Sequence, residues 1–334
     1  MNSEFRYHST TGEWVLISPK RVARPSDFAK NKIKRVKVSK KECHFDDPQK
    51  YNNKAPWFWF PEDKPLNQWT IQILPNLFPA VFADSLGSKS HFHKDDMYFV
   101  ADGFGYHDLL ITKDHNKTFS ALDYDQKNQV FLAFQKRYKQ LASLNGIAYV
   151  SIFQNYGPTA GASVFHPHYQ IIAIPIIPNA ISRSVDSSAK YYKKNKRCIH
   201  CDIIKKEQKD KKRIIYEDKN IIAFLPFASK EPFQVNIFPK KHTPFFENSS
   251  KNIISNMAVV LGKVLNKIKK ELNDPDYNFF IHTAPVLDKT KNSHYHWHIE
   301  IIPRSNVSAG FELETGVEIN PIFPEEGAKI LKIN

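Results

Sequence analysis

Cysteine is scarce in this sequence, and long apolar runs are missing. Only Cys43, Cys198 and Cys201 occur among 334 residues, an odd number too small for a disulfide-built scaffold. No stretch approaches the ~18 apolar residues of a membrane span, and no secretory leader pattern is visible. A cytoplasmic, reducing setting without a membrane partner is therefore expected. In that setting the C-x-x-C pair Cys198/Cys201 points to a metal rather than to a disulfide. Hydrophobic residues make up 41% of the chain, with 25 Phe, 14 Tyr and 5 Trp. A sizeable core can form, and disordered or collagen-like classes are excluded. The length suits two domains of about 150 residues, or one domain built twice.

Positive charge is in excess, 48 Lys and Arg against 34 Asp and Glu, or 48 − 34 = +14. That balance suits a phosphate-bearing partner. Much of the excess sits in KYYKKNKRCIHCDIIKKEQKDKK, residues 190–212. This stretch lacks the aromatic interleaving of a base-stacking surface, so a solvated Lys-rich loop beside a metal knuckle is expected, and nucleic acid is not.

The chain repeats itself. His166-Pro-His-Tyr-Gln-Ile-Ile-Ala-Ile-Pro175 aligns with His294-Tyr-His-Trp-His-Ile-Glu-Ile-Ile-Pro303 at a constant offset, 294 − 166 = 303 − 175 = 128. Upstream of each copy lie a strand-like run beginning at Tyr149 or Tyr277 and a helical pattern over 122–144 or 252–272. A strand ending in His115 or His242 precedes these, and a short knuckle, Cys43 to Asp46 or Cys198 to Cys201, precedes that. The implied fold class is α+β, antiparallel sheets with helices packed alongside. The halves are expected at 1–182 and 183–334, joined by a polar linker over 179–196.

Side chains two apart on a strand share a face, so His166, His168 and Gln170 form one polar row and His294, His296 and His298 another. Such strand histidines are expected to be exposed. Beside the first row, residues 155–163 read NYGPTAGAS, where Gly157 and Gly161 let backbone N–H groups approach an anion and Ser163 adds a hydroxyl. A histidine beside a phosphate cradle is what nucleophilic catalysis at phosphorus requires. The matching stretch of the second copy, residues 283–293, contains no glycine, so the first half is expected to do the chemistry.

Across nearly the whole chain these features resemble the galactose-1-phosphate uridylyltransferase family, the nucleotidyl-transferring branch of the histidine-triad superfamily. The resemblance rests on the run from Arg6 through Trp14 to Pro19, with Arg21, Arg24 and Pro25. It also rests on Asn76-Leu-Phe-Pro-Ala80, on Gly105-Tyr-His-Asp108, on the Gly-Ala-Ser and His-Pro-His-x-Gln runs, and on the closing His-Trp-His-Ile-Glu-Ile-Ile-Pro-Arg304. It implies a duplicated histidine-triad-like fold in which His168 is the nucleophile, with Gln170, Ser163, Asn155 and Gly161 around the α-phosphate. Asn76 and Phe78 would form the base and ribose pocket, and Arg21 and Arg24 would meet phosphate charge. The resemblance also implies zinc as cofactor, at Cys43, Asp46, His115 and His166 and at Cys198, Cys201, His242 and His294. Asp46 departs from the usual Cys and predicts the weaker site. Ser184 stands where some relatives carry an iron-binding Glu, so iron is not expected.

The implied reaction exchanges UMP between UDP-glucose and galactose 1-phosphate in two steps through a nucleotidyl-histidine. An ADP-glucose or dinucleoside-polyphosphate phosphorylase is the close alternative. A non-catalytic nucleotide or RNA binder, and a hydrolase centred on His296, are the other readings; the intact His168 and Gln170 count against the first and the missing cradle against the second. Residues 305–326, with Phe311 among them, lie outside the repeat and have too few core-spaced apolar positions for a helix. They are expected to be a strand-loop completing the substrate pocket of a partner in a homodimer.

Overall fold

In a computed structural model the structure describes residues 2–19, 35, 38–51, 55–83, 92–287, 291–305 and 308–333. Arg21 and Arg24 lie outside the described residues. The first half contains β1 (Glu4–Tyr7), β2 (Trp14–Ile17), β3 (Phe58–Phe60), β4 (Ile71–Pro75), β5 (Phe92–Asp95), β6 (Tyr98–Ala101), β7 (Tyr106–Thr112), α1 (Tyr124–Ala142), β8 (Tyr149–Tyr156) and β9 (His168–Ile174). The second contains α2 (Asn179–Asn195), α3 (Ile199–Asp210), β10 (Ile214–Glu217), β11 (Ile221–Phe224), β12 (Val235–Pro239), α4 (Lys251–Glu271), β13 (Tyr277–His282), β14 (His298–Pro303), α5 (Gly310–Thr315), β15 (Glu318–Asn320) and α6 (Pro324–Leu331).

Ten of these strands form one antiparallel sheet in the order β10-β11-β12-β14-β13-β8-β9-β7-β4-β3. Each half supplies five, and the halves meet where β8 pairs with β13. Side chains alternate across this sheet with a period of two. Tyr169, Ile171 and Ala173 of β9, and Ile299 and Ile301 of β14, are fully buried in one core shared by both halves. His168 and Gln170, and His298 and Glu300, therefore face the opposite side.

Helices α1 and α4 cover the apolar face. α4 buries Ile254, Met257, Ala258, Leu261, Val264, Leu265 and Ile268, the three-to-four spacing of a single stripe. Each large side chain so buried contributes about 1.5–3 kcal/mol. Asp123 caps α1 by accepting the Gln126 N–H at 2.8 Å, and Ser250 caps α4. α1 falls within the window 122–144 expected from periodicity, and α4 matches the expected 252–272 to within one residue at its start.

Three expectations need correction. Residues 179–196 are not a linker but α2, which buries Ile181, Ser184, Val185 and Ser188 along one stripe. Its two buried serines disguise the apolar pattern. The expected Lys-rich loop is likewise helical, because α2 continues to Asn195 and Cys198 opens α3 as its N-cap. Residues 310–315 form the short helix α5, made by local capping rather than by core spacing: Glu312 accepts the Ala309 N–H at 3.1 Å and Gly316 ends the turn in the left-handed region at φ 70°. Beyond it β15 pairs in parallel with β2, and Leu331 of α6 joins the main core, so the chain after α5 packs on its own subunit while Phe311 on α5 stays exposed.

The repeat offset also resolves into two values. His115 and His242 occupy equivalent strand ends, 242 − 115 = 127, whereas the strand that starts at His168 matches the one that starts at His298, 298 − 168 = 130. The intervening loop of the second half is three residues longer, which a single offset of 128 averages away.

Candidate active site and metal centres

The end of β7 and the chain leading into β9 converge on a four-residue cluster. Ligand-type atoms of Cys43, Asp46, His115 and His166 lie within 4.8 Å of one another. Cys43 Sγ is 3.4 Å from His166 Nδ1, and His115 Nδ1 contacts an Asp46 carboxylate oxygen. His166 donates Nε2–H to the Thr112 carbonyl at 2.7 Å, and His115 donates to the Val38 carbonyl at 2.9 Å. Each backbone bond fixes the tautomer that leaves Nδ1 unprotonated toward the cluster. All four residues are those expected from sequence.

In the second half the expected cluster is corrected at one position. Cys198, Cys201 and His242 converge with His296, not with His294. Cys201 Sγ lies 3.4 Å from His242 Nδ1 and 3.5 Å from His296 Nδ1, while His294 turns away and donates to the Val185 carbonyl at 3.1 Å. The longer loop explains the shift, because the histidine equivalent to His166 is then His296. His296 consequently faces sulfur, which removes the basis for a hydrolase centred on it. Hydrogen bonds from Cys201, His242 and His296 hold the Cys198 thiol well below its ordinary pKa. Separations of 3.4–3.5 Å match the ~3.5 Å ligand-to-ligand edge of a tetrahedral zinc site with Zn–S ~2.3 Å and Zn–N ~2.0 Å. Both sets fit a four-coordinate metal with no position left for substrate.

His168 follows the first cluster directly. It is buried, 7% exposed, rather than an exposed strand residue, because Phe45 of the knuckle packs edge-on against it at 5.3 Å. Burial pushes its pKa down, and Nδ1–H donates to the His166 carbonyl at 2.9 Å. The ring is thus neutral, with its Nε2 lone pair free. Gln170 sits two residues on, its carbonyl oxygen 2.9 Å from His107 Nε2. His107 Nδ1 accepts the Ala80 N–H at 3.1 Å, so Nε2 carries the proton and the Gln170 amide NH₂ is left to donate. His107 was not singled out as a site residue, although it lies within the Gly-Tyr-His-Asp run.

The glycine loop turns where expected. Gly157 and Gly161 have φ of 86° and 85°, Ser163 is exposed, and Asn155 points its oxygen at Asn278 Nδ2, 2.8 Å away, leaving its own NH₂ free. Asn76 accepts the Phe78 N–H at 3.0 Å, and the Phe78 ring is 83% exposed. Phe311 is also exposed, on α5.

Asp276 and Asn278, which hold this loop, come from the second half, and sequence reasoning missed them along with Arg35. Asp276 Oδ2 accepts both the Thr159 N–H, at 2.8 Å, and its hydroxyl, at 2.7 Å. Arg35 in turn donates to Asp276 Oδ1 at 2.7 and 2.9 Å. A Cβ on Gly157 would fall 1.9 Å from Asp276 Oδ1, so the loop closes onto the carboxylate only with glycine there. Asn278 Nδ2 also donates to the Ala160 carbonyl at 2.9 Å.

Residues 1–178 match the N-terminal domain of galactose-1-phosphate uridyl transferase, and residues 184–321 match its C-terminal domain. The chain belongs to the galactose-1-phosphate uridyl transferase family. As a member of that family it is a nucleotidyltransferase. Among curated relatives it is 32% identical to an ADP-glucose phosphorylase of Arabidopsis thaliana, over 98% of this chain and 92% of that protein. It is 28% identical to a galactose-1-phosphate uridylyltransferase of Thermotoga maritima, over 98% of each. Among solved structures, that of an Arabidopsis thaliana ADP-glucose phosphorylase with bound ADP-glucose aligns at 29% identity with a TM-score of 0.83, covering 100% of this chain and 99% of that one. A uridylyltransferase structure aligns at 25% identity and 0.74, covering 98% and 97%. No described helix is long and apolar enough to cross a membrane.

Two outcomes follow from the geometry. His296→Ala is expected to lose about one equivalent of bound metal, one of the four ligands of a closed site, while His294→Ala retains it; elemental analysis of both purified variants distinguishes them. Asp276→Ala is expected to lower kcat by about 100-fold, the scale of a ~1 Å misplacement at a reacting centre, with Asp276→Asn intermediate. Steady-state kinetics on folded variants, verified by circular dichroism, test this.

Proposed function

We propose that the chain transfers a nucleotidyl group from a nucleoside diphosphate sugar by way of His168. The observation that carries this reading is the neutral, tautomer-fixed imidazole of His168 on the same face as Gln170 and beside the glycine loop. Nε2 attacks the α-phosphorus, the bond from phosphorus to the bridging oxygen breaks, and the sugar 1-phosphate leaves with that oxygen. Positive charge developing on the ring is stabilised through Nδ1–H by the His166 carbonyl. Gln170 NH₂, Asn155 NH₂ and the Ser163 hydroxyl donate to the phosphoryl oxygens, while the N–H groups of Thr159, Ala160, Gly161 and Ala162 hold the loop itself in shape. An oxygen of the second substrate then attacks the nucleotidyl-histidine and restores the free imidazole. In this reading residues 1–182 form the catalytic half and residues 183–334 the supporting half. Asn76 and Phe78 line the nucleoside pocket, and Arg21 and Arg24 meet phosphate charge.

ADP-glucose as donor and inorganic phosphate as acceptor is the finer reading we favour, supported by the similarity to the Arabidopsis protein over both chains. Exchange of UMP between UDP-glucose and galactose 1-phosphate is the second reading, supported by the Thermotoga relative at equal coverage of this chain. Zinc is the metal that suits the two clusters by donor type, one thiolate, one carboxylate and two imidazoles in the first, and two thiolates and two imidazoles in the second. Its role would be structural, holding Cys43, Asp46, His115 and His166, and Cys198, Cys201, His242 and His296, in place.

The functional unit we propose is a homodimer in which α5, through Phe311, completes the partner's pocket. Leu77, Phe78, Phe82, Met97, Tyr98, Phe99 and Val100 are all exposed, large apolar side chains of the kind an interface covers.

Incubation of the protein with ADP-glucose or UDP-glucose, followed by intact-mass and peptide mass spectrometry, should give an adduct of one nucleotide on His168, with AMP captured in preference to UMP. His168→Ala should lose more than the ~100-fold typical of a general base and give no adduct; an adduct on another residue sinks the assignment. Light scattering should give a dimer, and Phe311→Ala should raise KM for the sugar nucleotide by about tenfold, the effect of removing one well-packed aromatic contact. A fully active monomer overturns the dimer.

A further inference from the structure

A cavity of about 1130 Å³ opens in the second half, not at His168 but at its counterpart. β14, β13 and β12 repeat β9, β8 and β7 position by position. His298 Nδ1 donates to the His296 carbonyl at 3.1 Å, as His168 does to that of His166. Glu300 replaces Gln170, and Gln234 replaces His107 as its partner, 107 + 127 = 234. His282 replaces Asn155 and lies 2.7 Å from Glu300. His298, Glu300, His282 and Gln234 all line the cavity, as do Tyr7 at the end of β1 and His8 and Thr10 of the turn that follows it.

The chemistry of this cavity differs from that of the first half in ways that select against phosphate. There is no glycine loop. An amide donor has become a carboxylate, which the hydrogen bond from His282 holds in its ionised form against the effect of burial. Five of the six cations lining it are already paired: Arg6 and Arg213 with Glu325 at 3.1 and 2.6 Å, Arg213 with Glu207 at 2.8 Å, Lys230 and Arg183 with Glu13 at 2.6 and 3.5 Å, and Lys206 with Asp210 at 2.9 Å, leaving Lys212 without an ion pair among the described residues. A metal is no better served. The rings of His282 and His298 stack at 5.0 Å and 28°, so their nitrogens do not converge, and the two convergent ligand groups among the described residues lie elsewhere.

What the cavity does offer is a carboxylate acceptor, the unprotonated Nε2 of His298, and His200, which is 3% exposed and whose Nε2 has no partner. The Phe224, Phe227 and Phe238 rings complete the lining. A carboxylate and imidazoles set beside flat apolar walls match adjacent hydroxyls projecting from an apolar ring face.

We propose that the second half holds a separate, non-catalytic binding site, centred on Glu300, His298 and His200, for the vicinal hydroxyls of an uncharged sugar ring, whether a free hexose or the ribose of a nucleoside. The site is independent of the nucleotidyl-transfer reading, because it shares no residue with the first-half pocket.

Isothermal titration of the metal-loaded full chain with glucose, galactose, adenosine, uridine and ADP-glucose tests it. Saturable binding of a hexose, a nucleoside or both is expected, and the hexose and nucleoside arms identify the source of the diol. Glu300→Ala should weaken that binding by at least about tenfold, as loss of a hydrogen bond to a charged group does. Glu300→Gln, which keeps the shape and the bond from His282, should weaken it less. Both should leave single-turnover nucleotidyl transfer within about twofold of the parent, a difference below ~0.5 kcal/mol, and Gln170→Ala should leave sugar binding unchanged. The proposal is overturned if no uncharged ligand binds at up to about 100 mM, a hundred times weaker than millimolar affinity. It is equally overturned if binding depends on Gln170 rather than Glu300, or if only phosphate-bearing ligands or a third equivalent of zinc bind in a Glu300-dependent way.

Discussion

The antiparallel pairing of β8 with β13 is the constraint on which the rest of the molecule depends. It places Phe153 opposite Phe280, and since 153 + 127 = 280 a local two-fold axis passes through that pair. At about 0.5–1.5 kcal/mol per hydrogen bond the ladder itself stabilises modestly. Its larger effect is to bring Phe279 of one half against Tyr169 and Phe119 of the other, so that a single core runs under ten strands. An antiparallel seam also lays the end of each central strand beside the start of the other. Asp276 and Asn278, at the start of β13, therefore reach the glycine loop that leaves β8. By the same symmetry the Ala148 carbonyl, just before β8, accepts the Val286 N–H at 2.9 Å in the loop that leaves β13.

Given that shared frame, the two halves differ where loops and single side chains differ. The strands, the helix on the far face and the four-ligand cluster recur in both. The loop between the second central strand and the ligand histidine does not: residues 156–165 carry two left-handed glycines, whereas residues 283–295 have none and are three longer. Only the first can make so tight a turn, with its Thr159 to Ala162 N–H groups bonded to Asp276 and within the loop. Gln170 against Glu300 works in the same direction, because an ionised carboxylate repels the phosphoryl oxygens that an amide NH₂ attracts. Duplication thus preserved the scaffold while the electrostatics of the two pockets diverged.

Much of this was legible in the sequence, where the code is local. The Gly-x-x-x-Gly loop, the cysteine pair and the two long amphipathic helices all have signals within about twenty residues, and each falls where its pattern placed it to within a residue; the histidine rows were found too, but as buried residues. The failures have physical causes. His294 and His296 both alternate correctly, and choosing between them needed the three-residue length difference of a loop whose ends are fixed by the sheet. α2 hid its buried stripe behind Ser184 and Ser188, and α5 formed by capping rather than burial. Arg35 and Asp276 hold the loop across 241 residues of chain, a contact that no local pattern announces.

The first four-residue cluster and the His168 imidazole, which we propose attacks phosphorus, are coupled directly. The His166 carbonyl oxygen orients His168, and the His166 ring belongs to the cluster, with Pro167 the only residue between them. A hydrogen bond to a group that gains charge is worth about 1.5–3 kcal/mol, and it is lost steeply as the angle opens. A cluster that locks the His166 ring therefore locks the carbonyl, the tautomer and the direction of the Nε2 lone pair together, although no ligand of the cluster is free to touch substrate. The Asp46 carboxylate matters in this light: it is the ligand in direct contact with His115, and Phe45, its neighbour in sequence, packs on both His166 and His168. The knuckle is thus tied to the imidazole twice, once through the metal ligands and once through the Phe45 ring. Positional order at His168 is set from the cluster side of the strand rather than from the open face where substrate would arrive.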